Sequence, residues 1–410
     1  MIAVFIGNIV NAQWVSQNPG LQIGLSSVSY PTSTTAYAVG SAGKIIKTIN
    51  GGLTWTLQNS GVSYDLNSVF FTDANTGYIA GGTPSGDPSS GSSVVLKTSN
   101  GGTTWGPICS NNLYPKTCVF FADANTGYVG CYNGKILKFT NAGASWTELT
   151  TGTYSPIYSI FFINANIGFA TAGQDISHPA IILKTTNGGA TWTNVKSVTE
   201  AYLTSVYFPD ANTGYVVGYN SSHNGSVILK STDGGNSWSS QTVSNYVLSS
   251  AYFTNANIGY FSGFLFNSSK GVILKTTNGS STFSTTTFEY STAFTSLRFS
   301  NANNGCAVSG YGKIKTTTNA GGVGISEVIE NITFYIYPNP VKENLIIELH
   351  KNKMLQNTSI SIYDIQGKLL LQQTILQPQT ELNISSFAKG VYVVKVNNEK
   401  NSMVSKFVKE

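Results

Sequence analysis

The chain repeats itself, and that repetition limits its possible folds more than any other feature. One motif occurs seven times, at VSYPTSTTAY (28–37), VFFTDANTGY (69–78), VFFADANTGY (119–128), IFFINANIGF (160–169), VYFPDANTGY (206–215), AYFTNANIGY (251–260) and LRFSNANNGC (297–306). Its turn positions Ala36, Gly77, Gly127, Gly168, Gly214, Gly259 and Gly305 lie 41, 50, 41, 46, 45 and 46 residues apart. A second motif follows each of the first six copies: KTINGGLTW (47–55), KTSNGGTTW (97–105), KFTNAGASW (138–146), KTTNGGATW (184–192), KSTDGGNSW (230–238) and KTTNGSSTF (275–283). The seventh copy degrades to KTTTNAGG (315–322), with no tryptophan after it. Self-similarity at such a period marks units that bury their faces only by packing on their neighbours.

Each unit reads as four short strands. The first is the apolar S-V-x-F segment, and an Asx/Gly turn leads to the second, G-Y-x-x-G. The third is x-I-L-K-T, and an N-G-G turn delivers the fourth at T-W-T. Seven such units arranged radially predict an all-β chain whose residues 13–322 form a seven-bladed β-propeller. The outermost strand missing from the seventh unit is supplied from the N-terminus. Trp14-Val15-Ser16-Gln17-Asn18 parallels Trp55-Thr56-Leu57-Gln58-Asn59, and each tryptophan precedes the next apolar strand by the same 14 residues, to Val28 and Val69. Residues 1–12, MIAVFIGNIVNA, read as the end of a secretory signal peptide, with Val10 and Ala12 before the cut. No basic leading segment precedes the apolar run, which points to a truncated start. A buried first strand is the alternative. Cleavage would leave the closing strand just intact.

The second motif, as in Thr48-x-Asn50-x-Gly52-x-Thr54-Trp55 and Ser231-x-Asp233-x-Gly235-x-Ser237-Trp238, resembles the Asp-box. Together with the ANTGY and ILKT elements it resembles the Asp-box propellers of the photosystem II assembly-factor type, over residues 13–322. This chain has Asn at most of the Asp positions, which keeps the turn chemistry and loses the charge. The resemblance implies a fold and no photosynthetic role, because the Asp-box is shared by sialidases, endoglucanases and binding propellers.

In a four-stranded meander the ANTG and NGG turns lie at one end of each blade, where their constant length marks scaffold. At the opposite end lengths vary, as in 81–95, 172–181, 219–227 and 264–272. Variable loops on a rigid frame usually carry function. Most blade connections carry a tyrosine near the next inner strand, namely Tyr64, Tyr114, Tyr154, Tyr202, Tyr246 and Tyr290. They form a candidate broken ring of phenols able to stack on sugars or grip a peptide. The competing reading has them plugging gaps between blades. Lys47, Lys97, Lys138, Lys184, Lys230 and Lys275 share one register opposite the blade tryptophan. They are expected to pack their stems on indole and to form no basic patch.

Only 10% of the residues are charged, against about 25% in an average soluble domain. The propeller carries 14 basic and 10 acidic residues, and Arg298 is the one arginine of the chain. Nucleic-acid binding, which needs clustered cations, is excluded on that count. No apolar run is long enough for a membrane span. Sialidase chemistry, which needs an arginine cluster, is excluded as well. A glycosidase needs two facing carboxylates. Asp73, Asp123 and Asp210 belong to the repeated turn, whereas Asp65, Asp87, Asp175, Glu200 and Glu289 lie toward the variable end, with nothing in the sequence pairing them. His178 and His223 fall in matching loops of adjacent blades with Asp175 nearby, but polar loop residues are the preferred reading over a metal site. The D-x-N-x-G at Asp73 lacks the further acids of a calcium loop. No cofactor or metal is expected. Cysteines in an exported chain favour a disulfide. Cys118 with Cys131 is the first pairing, Cys109 with Cys118 the rival, and Cys306 is expected buried and free.

After a Gly-rich stretch at 321–324 and a linker over 323–331, residues 332–410 read as a small Ig-like β-sandwich, with strand-like segments at 332–340, 344–350, 358–375, 390–398 and 403–409. Tyr337-Pro338-Asn339-Pro340, Tyr363-Asp364 through Gly367-Lys368, and Lys389-Gly390-Val391-Tyr392 resemble the type A sorting domain of the type IX secretion system of Bacteroidetes. That resemblance implies passage through the periplasm and across the outer membrane, with the secretion machinery as partner. An ordinary Ig-like binding module is the alternative. The expectation is a secreted or surface-displayed monomeric binding module for a glycan or surface protein, not an enzyme. The alternatives are an extracellular glycosidase and a structural scaffold.

Overall fold

The structure, a computed structural model, describes residues 14–20, 23–82, 93–109, 114–173, 179–268, 270–289, 292–320, 333–350, 358–374, 377, 379–397 and 402–410. The chain divides into two compact units, Met1–Val323 and Gly324–Glu410. The first contains seven four-stranded antiparallel sheets, which are the blades of a propeller. Blade 1 runs from its inner strand Leu25–Ser29 through Ala36–Gly40 and Ile45–Thr48 to the outer strand Thr56–Gln58. Blades 2 to 6 repeat this order over 66–109, 116–149, 157–198, 201–244 and 246–287. Blade 7 has three strands of its own, Phe294–Phe299, Gly305–Ser309 and Ile314–Thr317. Its fourth is Val15–Gln17, antiparallel to the last of these with Val15 opposite Thr316. The ring is closed by the N-terminal strand, and Trp14 lies buried edge-on against Phe299 of blade 7. The expected signal peptide and linker lie outside the described residues.

The repeat is chiefly a set of devices for joining one blade to the next. In blade 1 the Tyr37 ring stacks on Phe71 of blade 2 at 4.1 Å, and its hydroxyl donates to the Gly101 carbonyl at 2.6 Å. Lys47 Nζ donates to that same carbonyl at 2.7 Å while lying 5.3 Å from the Tyr37 ring centroid. The arrangement recurs with Tyr78, Lys97 and Ala142, and with Tyr128, Lys138 and Gly188. The lysines therefore rest on the second-strand aromatic rather than on indole, as the sequence had suggested. Their job is to satisfy the turn carbonyl of the following blade. Each stack contributes about 0.5–1.5 kcal/mol beyond area burial.

The glycine of ANTGY is needed for the same reason. Gly77, Gly127, Gly168, Gly214, Gly259 and Gly305 each lie under the inner-strand phenylalanine of their own blade, so close that an added Cβ would sit 2.3–2.6 Å from the ring. The turn itself is an Asx turn, in which Asp73 Oδ1 accepts the Asn75 and Thr76 amides at 2.7 and 2.8 Å. Only blade 1 has alanine here, and only blade 1 has tyrosine, Tyr30, in place of the phenylalanine.

Tyr30 marks the seam of the ring. Across the other six blade interfaces an aromatic of one second strand stacks on a phenylalanine of the next inner strand, from Tyr37–Phe71 to Tyr260–Phe299. Between blades 7 and 1 the pair is Cys306 and Tyr30, which pack together in one cluster. The two departures from the repeat thus meet in space. The double change Tyr30→Phe with Cys306→Tyr should install the seventh stack. Its stability should exceed the sum of the single changes by about 1 kcal/mol. Additive denaturation midpoints would show that the two positions are not coupled.

The Asp-box-like turn works through both Asn and Asp. Thr48 Oγ1 accepts the Gly52 amide at 3.0 Å, and Asn50 Oδ1 accepts the Thr54 amide at 3.0 Å. Asn50 Nδ2 donates to Thr54 Oγ1 at 2.9 Å, whereas Asp233 instead accepts from Ser237 Oγ at 2.6 Å. Blade 3 has Phe139 where the others have this Thr or Ser, so the hydroxyl that ties the turn is missing, and Trp146 lies 38% exposed.

Cys118 is a buried free thiol, as are Cys131 and Cys306, which corrects the expected disulfide. A bulge at Thr117 sets Cys118 opposite Gly130, while Cys131 faces Lys116. Cys118 consequently packs between blades 3 and 4, and Cys131 packs with Cys109 between blades 2 and 3. Burial pushes the Cys118, Cys131 and Cys306 thiols up to about 12, so all three stay protonated at neutral pH.

The second unit is a sandwich of a three-stranded and a four-stranded sheet. Leu345, Ile347 and Leu382 from one sheet and Ile360, Ile362, Val394 and Phe407 from the other form its core. The segment expected as one strand over 358–375 is a hairpin, Ser359–Tyr363 and Leu369–Thr374, turning where Asp364 Oδ1 accepts the Lys368 amide at 2.9 Å. The strand Gln379–Asn383 was not legible in the sequence, since only Leu382 of its residues is buried.

Candidate functional site

Every inner strand carries a β-bulge at the same place, at Ser26, Asn67, Thr117, Tyr158, Thr204, Ser249 and Thr295. A bulge re-aims side chains, and here it lets two successive residues of each blade line a central channel of about 310 Å³. In blade 3 the second of the pair is Cys118, and in the other six blades it is the Ser of S-V-x-F. Its hydroxyl accepts an inner-strand amide of the adjoining blade, as in Val69 to Ser27 at 3.3 Å and Val119 to Ser68 at 3.1 Å. The channel is therefore belted with small polar groups toward the variable end.

Toward the Asp-box end the x position of S-V-x-F forms an aromatic collar. Phe70, Phe120, Phe161, Tyr207 and Tyr252 follow one another around blades 2 to 6 at centroid distances of 5.2, 5.2, 5.2 and 5.0 Å. Blades 7 and 1 interrupt it with Arg298 and Ser29. The repeat alignment already contains this collar. Apolar residues there look like core in the sequence, whereas all seven side chains are half-buried and Ser29, Phe70, Phe120, Phe161, Tyr207 and Arg298 line the channel.

At the variable end blades 3, 4 and 5 bring together a tyrosine patch. Tyr202 stacks on Tyr219 at 5.3 Å, and His223 lies 4.9 Å from Tyr219 and 6.3 Å from Tyr202. Tyr158, whose ring crosses Gly173, is pushed up to about 12, chiefly by burial and further by the neighbouring phenols Tyr132, Tyr219 and Tyr202. Tyr132 and His223 are exposed, and the other three rings are half-buried. The exposed Glu200 holds the same loop, its carbonyl accepting the Ser221 amide at 2.9 Å.

Of the sequence-derived tyrosines, Tyr202 lies in this patch and Tyr154 stands 85% exposed on the neighbouring blade connection. Tyr64, Tyr114 and Tyr246 pack against the clusters between blades 1 and 2, 2 and 3, and 5 and 6. Tyr290 lies outside the described residues, as do Asp87, Asp175 and His178. Asp65 caps the Ala42 amide at 3.0 Å. Burial alone would raise the Glu289 carboxyl, but hydrogen bonds from Lys315 at 2.9 Å hold it below the usual range. Among the described residues no cluster of His, Cys, Asp and Glu has the makings of a metal site.

In the second unit the motif residues converge on the last strand. Asn339 Oδ1 accepts the Val408 amide at 2.9 Å, and Tyr337 donates to Glu348 at 2.8 Å, beside Pro338 and Pro340, whose preceding peptide bonds are cis. Gly367 takes positive φ in the Asp364 turn. Tyr392, two residues past Gly390, lies buried between Phe387 and Phe407 and donates to the Ala388 carbonyl at 2.7 Å.

Fold and motifs define a propeller with a C-terminal export module. Residues 335–410 match the family described as secretion system C-terminal sorting domain, and this region is such a domain. The chain is thereby sorted to the cell surface or secreted, and its tail engages the secretion machinery. No described helix is long and apolar enough to cross a membrane. The propeller is similar in fold to YCF48 from Cyanidioschyzon merolae, with TM-score 0.59 and 16% identity over 75% of this chain and 98% of that one. A structure titled YCF48 bound to D1 peptide matches with the same TM-score and identity over 97% of its length. A GH74 xyloglucanase from Xanthomonas campestris matches at TM-score 0.59 and 13% identity, over 82% of this chain and 59% of that one. In sequence, the chain is 38% identical over 77 residues to a funoran endo-beta-hydrolase of Wenyingzhuangia aestuarii, and 25% identical over 85 residues to beta-agarase A of Zobellia galactanivorans. These stretches cover 18% and 21% of this chain but only 10% and 15% of those proteins.

These names overturn the expectation that the chain is not an enzyme. Both sequence relatives and one fold neighbour are named as glycoside hydrolases. The lone arginine argued against sialidase chemistry, and that argument does not extend to glycosidases whose substrates need no arginine cluster.

Proposed function

We propose that the exported propeller holds an extracellular polysaccharide on the tyrosine patch of blades 3 to 5. The observation that carries this reading is the juxtaposed Tyr202, Tyr219 and His223, with Tyr158 and Tyr132 beside them, on the face where loop lengths vary. Phenol rings offer an apolar face to sugar C–H groups and a hydroxyl to sugar oxygens, with few torsions to freeze. The names of the relatives favour a second reading, in which the same surface presents the chain for hydrolysis. Glu200 is the described carboxylate on that loop.

Affinity electrophoresis and calorimetry with agarose, funoran and xyloglucan test both. Tyr202→Ala and Tyr219→Ala should each weaken binding about tenfold, equivalent to about 1.4 kcal/mol. Tyr64→Ala and Tyr114→Ala, between blades, should lower the melting temperature and leave affinity unchanged. Equal affinity in the patch variants and the parent would remove the patch from consideration. Reducing-end release that disappears in Glu200→Gln, with binding retained, would establish the hydrolytic reading.

A further inference from the structure

The chain places its single arginine inside the channel. At the x position of the inner strand the other six blades carry Ser29, Phe70, Phe120, Phe161, Tyr207 and Tyr252, none of them charged. Arg298 donates to its own Leu297 carbonyl at 2.9 Å. Among the described residues no carboxylate lies within ion-pairing distance of it. Burial lowers its pKa, countered only by the phenols Tyr207 and Tyr252. A half-buried guanidinium with no carboxylate beside it gives up hydration that a bound anion would replace. A fork of donors with most of its capacity unused is suited to a carboxylate bound bidentately.

The surroundings of Arg298 narrow what the anion belongs to. Phe70, Phe120 and Phe161 give one side of the collar an apolar lining, while Tyr207 and Tyr252 bring hydroxyls beside the cation. Above the collar lies the belt of Ser, Thr and Asn side chains, rich in donors and acceptors. The cavity of about 310 Å³ is at the small end of ligand sites. We propose that the channel is a binding site for a sugar acid of one-ring size, its carboxylate on Arg298, its polar edge on Tyr207 and Tyr252, and its apolar face on the phenylalanines. Tyr158 lines the channel and borders the tyrosine patch, but Arg298 and the collar lie toward the Asp-box end and do not depend on Tyr202 or Tyr219.

Calorimetry on the full chain decides the matter, with D-galacturonate and D-glucuronate as probes, D-galactose as the neutral control and sodium sulfate as the bare oxyanion. A uronate should bind at millimolar concentration at least about tenfold more tightly than galactose. Arg298→Met should abolish that preference, Arg298→Lys should retain part of it, and Tyr202→Ala should leave it intact. Without ligand, Arg298→Met should melt no lower than the parent, because it removes a half-buried cation with no carboxylate partner. Uronate and galactose binding alike, or neither binding, would overturn the proposal. Sulfate binding as tightly as uronate would overturn the sugar-acid assignment. A large fall in melting temperature for both Arg298→Met and Arg298→Lys would show that the guanidinium is a structural partner, which also overturns it.

Discussion

Trp14→Ala should destabilise the propeller by about 3–5 kcal/mol, the range for truncating a buried aromatic. That is a large share of the 5–15 kcal/mol or so that holds a typical domain together. Trp14 is 6% exposed and anchors a strand of only three residues, Val15–Gln17, which is otherwise held by its ladder to Ile314–Thr316, the 2.9 Å bond from Gln17 to Thr316 and a bond from Lys315 Nζ to Ser16 Oγ. Its cluster contains Tyr260, Ile273, Phe294, Leu297 and Phe299, so its loss loosens blade 7 against blade 6. The effect should exceed that of Trp146→Ala, because Trp146 lies half out of its blade. Guanidinium midpoints give the comparison. A Trp14→Ala shift no larger than that of Trp146→Ala would mean that the N-terminal strand does not hold the ring closed.

How much of this was legible in the sequence depended on whether a residue acts within its own repeat or across to another. The blade count, the strand order and the closure by Trp14 followed from alignment alone, because the period is explicit and each strand pairs locally. Inter-blade contacts were harder to read, since the turn carbonyl that each tyrosine or lysine reaches lies 41 to 64 residues away and no period-2 or turn signal points to it. The lysines were therefore assigned to the nearest ring in sequence, the blade indole. Their actual contacts are the adjacent-strand aromatic and a carbonyl of the next blade, as with Lys184 and Gly234 at 2.8 Å. The disulfide expectation failed because a bulge is invisible in composition, and one extra residue at Thr117 sends Cys118 and Cys131 to different interfaces. The seam could have been found, since Tyr30 and Cys306 are the two positions that break the aromatic pattern, at opposite ends of the repeat array. The tyrosine patch could not, because Tyr132, Tyr158 and Tyr219 occupy different positions in their repeats.

Gly214→Ala tests the claim that the ANTGY glycine serves the ring above it rather than the turn. Gly214 lies in a strand, outside the positive-φ region, so backbone conformation gives alanine no penalty. The added methyl would sit 2.3 Å from Phe208 Cζ, and Phe208 is itself stacked on Phe169 at 4.3 Å and edged by Trp238 at 5.8 Å. The ring has no free direction in which to yield, so the overpacking cost should reach the upper part of the usual 1–3 kcal/mol or so, or exceed it. Gly106→Ala is the control. An added Cβ there meets nothing within 4 Å, and the reduced freedom of the unfolded chain should leave stability unchanged or raised by about 0.4–1 kcal/mol. Shortening the ring with Phe208→Leu in the Gly214→Ala background should recover part of the loss, because the clash and not the turn is what was introduced. If Gly214→Ala proves as mild as Gly106→Ala, or if Phe208→Leu adds its full cost on top, the glycine's place in the repeat has another cause. Blade 1 is the natural version of the relieved pair. It carries Ala36, and its inner-strand ring, Tyr30, is the one that turns to Cys306 instead of stacking.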